Sequence, residues 1–158
     1  MEVPGPVAFI IVAGTLYFVW RFYRRKIARI NAMGPIPREI PTSGFEIPIL
    51  AAFTGIRKLP RQTNVAWNNA FPALTLYPER LDCRVLKNWA IGYASIEKID
   101  IWDTLWTRNL TIYVRGREDT FTANLLNRQN LTRTLLFLQT RGAPLTSRAK
   151  AFIAENPT

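Results

Sequence analysis

The sequence predicts an α+β protein: a single N-terminal transmembrane helix, then a small antiparallel β-barrel or sheet closed by a C-terminal amphipathic helix. Three observations predict it. Val3 to Trp20 carries no charge over 18 residues. From about Phe71 to Thr122 the apolar residues recur with a period of two, as in half-buried strands. After Asn127 the period lengthens to that of a helix face.

The uncharged run comes first. A helix from Pro6 to Tyr23 is near the length a ~30 Å hydrocarbon core demands. Tyr17, Trp20, Phe22 and Tyr23 cluster at its C-terminal end, as interfacial aromatics do. A cleaved signal peptide is disfavoured, because the start holds Glu2 and no Lys or Arg. A buried core helix is the other alternative. Arg21, Arg24, Arg25, Lys26 and Arg29 follow the run. By the positive-inside rule they set residues 1–5 outside, 6–23 as the span and the remainder in the cytoplasm, at the inner membrane. The same five charges are expected to meet anionic headgroups.

Residues 24–63 read as a basic juxtamembrane segment and a linker. Pro35, Pro37, Pro41 and Pro48 oppose regular helix there. Within it, IPILAAFTGI is too short to span a bilayer and reads as a core segment, or as an interfacial one. Arg57, Lys58 and Arg61 follow as candidate membrane-surface contacts.

The β domain is expected over residues 64–158. Leu74 and Leu76 alternate with Thr75 and Tyr77, and Pro78 opens a turn. Leu81, Cys83 and Val85 form the next apolar face. Ala90–Tyr93 reads as a short strand, and Ile96, Ile99 and Ile101 continue the pattern. Trp102, Thr104 and Trp106 are placed on one strand face, with a turn at residues 107–109. Leu110, Ile112 and Val114 alternate again, Gly116 sits in a turn, and Thr120–Thr122 is a strand. Leu131, Leu135 and Leu138 then make a helical stripe capped by Asn127 and stopped by Gly142 and Pro144.

Chemistry is constrained by absence. There are no histidines and one cysteine among 158 residues, which removes the common zinc sites and Ser-His-Asp or Cys-His catalysis. Asp100 and Asp103, with Glu97 upstream, read as a solvated edge rather than an acid/base pair. No catalytic, metal or cofactor site is expected. The formal charge is +10, yet residues 21–61 hold most of it, so an address at a membrane face is favoured over nucleic acid. Trp102, Trp106 and Arg108 are the candidate partner contact, an aromatic-plus-Arg turn of the kind found at interface hot spots.

The segments FPALTLYPERLDCRVLKNWAIGYASIEKIDIW, RNLTIYVRG and NRQNLTRTLLFLQTRG give the chain its resemblance to a known family. Their order resembles the pleckstrin-homology-like barrel, and more closely the bacterial PH-domain families on membrane-anchored proteins. The likeness covers residues 65–142 and rests on hydrophobic pattern. It implies a non-enzymatic binding module, an adaptor or accessory subunit docking on a membrane-protein partner or complex. The alternatives are a protein that binds or senses anionic lipid and, behind it, a basic nucleic-acid binder.

Overall fold

A computed structural model describes residues 5–32, 36–37, 39–59, 64–104 and 107–157, with the side chains of 5–7, 29 and 64 left aside. The chain forms two compact units, Met1–Met33 and Gly34–Thr158.

The first unit is one helix, α1 (Gly5–Ala32). Among the described residues no helix is long and apolar enough to cross a membrane. The reason lies along α1 itself. Its uncharged part runs from Gly5 to Trp20, 16 residues or ~24 Å, short of a ~30 Å hydrocarbon core. Arg21, Arg24, Arg25 and Lys26 then interrupt it, so most of the second half of the helix is too charged for hydrocarbon. The predicted transmembrane span is thereby corrected, and the single-pass topology and inner-membrane location that rested on it fall with it.

The second unit has nine strands and two helices among its described residues. β1 (Phe45–Glu46), β2 (Ala51–Ile56), β3 (Asn64–Asn68), β4 (Ala73–Leu76), β5 (Arg80–Arg84) and β6 (Asn88–Gly92) come first. A 3-10 turn at Tyr93–Ser95 leads to β7 (Ile96–Asp103), β8 (Arg108–Val114) and β9 (Asp119–Leu125). α2 (Arg128–Thr140) and α3 (Ser147–Glu155) follow. β1 and β2 thus lie inside the stretch read as linker. Ile47, Ile49 and Ala52 join the core, which fits the core reading of that apolar decamer.

The strands make two open antiparallel sheets, not a closed barrel. One has the order β1-β4-β5-β6, the other β3-β2-β9-β8-β7. The Tyr93–Ser95 turn separates the pairing of β6 from that of β7, so no ladder continues around. Between the sheets lie Leu74, Leu76, Leu81, Cys83, Ile99, Leu110, Ile112 and Phe121. α2 lays Leu131, Leu135 and Leu138 onto this core, each fully buried. The Asn127 side chain caps α2 by accepting from Gln129 and Asn130, and Gly142 leaves the helix at φ +79°. Phe137 meets the ring of Tyr93 edge-on at 5.9 Å.

β7 is one strand and contains Trp102, so Trp102 does not open a separate strand; Thr104 lies beyond β7, and Trp106 lies outside the described residues. Thr104 instead closes a turn, its N–H and its hydroxyl both donating to the carbonyl of Thr107 at 2.9 and 2.8 Å. β8 and β9 are buried on both faces. Thr111, Thr122, Asn109 and Asn124 sit opposite the apolar row and are all nearly inaccessible. They bond to one another: Thr111 and Thr122 hydroxyls lie 3.0 Å apart, and Asn124 Nδ2 donates to Asn109 Oδ1 at 2.8 Å, with Asn109 Nδ2 left unbonded.

Candidate functional site

The sequence nominates three groups of residues, and the structure places each differently. On α1, Arg21 donates to the Tyr17 hydroxyl at 2.9 Å and Arg24 stacks 4.8 Å over the Trp20 ring. Arg25 is exposed, while burial lowers the pKa of Lys26. The Arg29 side chain, Arg61 and Trp106 lie outside the described residues.

Arg57 sits just past the end of β2 and is not a free surface cation. Its guanidinium donates to Glu97 Oε2 at 2.6 Å and to the Val114 carbonyl at 2.9 Å. That hydrogen bond, more than desolvation opposes it, holds the Glu97 carboxyl below its usual range. Lys58 faces Glu118 at 3.3 Å in an exposed pair.

Trp102 and Arg108 both lie at the turn end of the β7–β8 hairpin, but the register pairs Trp102 with Asn109 and so sets the two side chains on opposite faces of the sheet. The ladder puts Asp103 opposite Arg108, and Arg108 Nε lies 2.9 Å from Asp103 Oδ1. Arg108 also covers the Phe152 ring at 5.1 Å. A cavity of about 250 Å³ opens here between β7 and α3, lined by Ile101, Trp102, Asp103, Arg148, Phe152 and Glu155. Two of its polar groups are committed within the fold. The Trp102 indole N–H donates to Thr111 Oγ1 at 3.2 Å, and Arg148 donates to the Ile101 carbonyl at 3.2 Å. The Arg148 bond, with Arg108 over Phe152, binds α3 to the sheet, while the Trp102 bond ties β7 to β8.

Asp100, read as solvated, is 4% exposed. Its Oδ1 accepts from Thr146 Oγ1 at 2.9 Å and from the Ile101 N–H at 3.0 Å. It anchors the segment entering α3. Cys83 faces the core, where burial pushes its thiol pKa well above normal and keeps it protonated. Among the described residues no group of His, Cys, Asp or Glu is arranged to hold a metal ion.

A second surface was not singled out by sequence. Asn68, at the end of β3, ties two loops together. Its Nδ2 donates to the Val85 carbonyl at 2.7 Å, and its Oδ1 accepts the Phe71 N–H at 2.9 Å. Arg84 then donates to the Phe71 carbonyl at 3.0 Å. Around this junction four large apolar side chains face solvent: Val65 at 58%, Trp67 at 64%, Phe71 at 73% and Leu86 at 75%. Residues 64–77 hold no charge, and residues 84–96 hold Arg84 and Lys87 and no acid. The available signal was the spacing of Val65 and Trp67, which is that of a strand face.

No protein-family model matches the chain, and no curated protein matches it in sequence.

Proposed function

We propose that the Gly34–Thr158 unit is a non-enzymatic protein-interaction module, an adaptor or accessory subunit that docks through the surface around Asn68. The observation that carries this reading is the exposure of Val65, Trp67, Phe71 and Leu86 about one hydrogen-bonded junction. Scattered exposed apolar residues are ordinary, but a group including two aromatics beside an Arg and a Lys has the composition of an interface centre. The junction fixes the backbone beneath those side chains, so less ordering entropy is lost on binding. The pleckstrin-homology-like resemblance implies the same class of function.

The test compares the full chain with a Trp67→Ser, Phe71→Ser, Leu86→Ser variant. Both are purified gently from the source cell, and co-purifying proteins are quantified. A stoichiometric partner retained by the native chain and lost from the variant, at unchanged thermal stability, is the expected result. Identical retention by both chains, or a bare monomer in both, overturns the reading.

A further inference from the structure

We propose that the cleft between the end of β7 and α3 binds a dipolar ligand: a carboxylate and an alkylammonium held apart by a short methylene chain. A free ω-amino acid has this chemistry, and so does the C-terminal lysine of a protein. The cleft shares no residue with the surface around Asn68, and its argument does not rest on that surface.

The position of α3 follows from register. β7 and β8 pair without interruption from Lys98↔Tyr113 to Asp103↔Arg108. On the other side of β7, the Ile99 N–H donates to the Pro144 carbonyl and the Thr146 N–H donates to the Ile99 carbonyl, at 2.8 and 2.9 Å. The bridge between Ile99 and Leu145 is parallel. Two residues further along each chain, Arg148 reaches the Ile101 carbonyl at 3.2 Å. The start of α3 therefore advances in the same direction as β7.

Arg148, Ala151, Phe152 and Glu155 are spaced i, i+3, i+4 and i+7, which is one face of a helix. That face and Ile101, Trp102 and Asp103 enclose the cavity of about 250 Å³. Ala151 is small and exposed, so the middle of the cleft stays open. Its ends differ in charge. Arg148 is held at Ile101. Glu155 lies ~10 Å further along the helix axis, and Asp103 lies ~7 Å further along the strand. One end is thus cationic and the other carries two carboxylates, with an apolar wall between them.

The fold uses only part of this polar set. Arg148 gives Nη1 to the Ile101 carbonyl, and a guanidinium has five N–H donors. Arg108 approaches Asp103 at Oδ1, and a carboxylate has a second oxygen. Glu155 is exposed and joins no ion pair among the described residues. A dipolar ligand matches what is left over. Its carboxylate meets the guanidinium, its ammonium meets Asp103 and Glu155, and its methylenes lie on the apolar wall. A plain anion would face two carboxylates, and a plain amine would leave Arg148 without a counter-ion. The ligand has no net charge, so the +10 of the chain does not oppose it. The cavity is smaller than the ~300 Å³ of a drug-sized site, which suits a ligand of this size.

The experiment titrates the full chain with 6-aminohexanoate and follows the Trp102 indole and Ala151 amide resonances by NMR. Both are expected to shift saturably, with a dissociation constant in the roughly millimolar range. Hexanoate and hexylamine each lack one charge and should bind roughly tenfold more weakly. Ala151→Leu fills the cleft at an exposed position with a good helix former, and should abolish binding. Glu155→Gln should weaken binding roughly fivefold at unchanged thermal stability. An acetylated peptide ending in lysine, compared with its C-terminal amide, identifies the source. Binding of the free acid alone supports the cleft and makes the ligand a protein C-terminus. Binding of 6-aminohexanoate with neither peptide supports it and makes the ligand a free ω-amino acid. The proposal is overturned by no shift at tens of millimolar probe, or by hexanoate, hexylamine or the peptide amide binding as tightly as the dipolar form. It is overturned equally by binding that persists unchanged in both Ala151→Leu and Glu155→Gln.

Discussion

Asn68 Nδ2 donates to the Val85 carbonyl at 2.7 Å, joining the end of β3 in one sheet to the β5–β6 turn of the other. Its Oδ1 holds the Phe71 N–H in addition. Asn68→Ala removes both bonds at once and should lower stability by about 1–2 kcal/mol. Urea denaturation measures it. The exposed Trp67 emission should shift with the native-state baseline, because the backbone beside it loses its tie.

Thr146 should matter more than an ordinary cap. Its hydroxyl oxygen accepts the Ala149 N–H at the start of α3 and its proton goes to buried Asp100. Thr146→Ala loses the cap, worth ~1 kcal/mol, and withdraws a donor from a carboxylate, worth ~1.5 kcal/mol or more. A fall of about 2–3 kcal/mol is expected by chemical denaturation, with Thr146→Ser recovering most of it.

Gly44 and Gly116 both have positive φ, at +84° and +72°. They should respond unequally to alanine. At Gly44 a Cβ would lie 2.6 Å from Tyr77 Cε1 and 2.9 Å from Thr75 Cγ2, whereas Gly116 has open space. Gly116→Ala is expected to cost about 1 kcal/mol from backbone strain. Gly44→Ala adds a further ~1–3 kcal/mol of overpacking. Thermal melts of the two variants separate strain from clash.

Tyr93 sets a dependence on alkaline pH. Its hydroxyl lies 2.6 Å from the Tyr77 carbonyl and 2.8 Å from that of Arg80, and donates its proton there. Burial pushes its pKa from 10.0 up to about 12, opposed in part by Arg141. The folded state therefore keeps the proton longer than the unfolded one. The associated stability is complete below pH 10 and is lost as pH rises through about 12. Tyr93→Phe should be less stable at neutral pH by ~1 kcal/mol, and its stability should fall less steeply across that window.

Much of the β domain was legible because its elements keep their periods. β4 through β9 follow the alternating apolar positions, and α2 follows Leu131, Leu135 and Leu138. Gly142 was read as the helix stop and takes the left-handed conformation that position needs. What escaped had physical causes. Proline density hid β1 and β2, though prolines flank those strands without entering them. Threonine and asparagine on β8 and β9 look solvent-facing by type, yet they pair with one another and are buried. Asp100 looked solvated for the same reason, since nothing local announces Thr146 from a distant segment. The α1 run misled because its charge-free length ends at Trp20, and the basic residues from Arg21 onward leave no apolar window long enough to cross. At the site, the hairpin register pairs Trp102 with Asn109 and Arg108 with Asp103, so the two residues are engaged separately within the fold. Val65, Phe71 and Leu86 went unremarked because each is an isolated apolar residue until Asn68 joins their loops.

The cover over β7 has a consequence for how many molecules can meet. A sheet with both edges bare is bivalent and can propagate head to tail into a ribbon. Residues 144–146 bond to Ile99 and close the middle of the β7 edge to an added strand. The sheet cannot propagate through that edge while the connection between α2 and α3 is intact. A cut at Gly142–Leu145 is expected to open it.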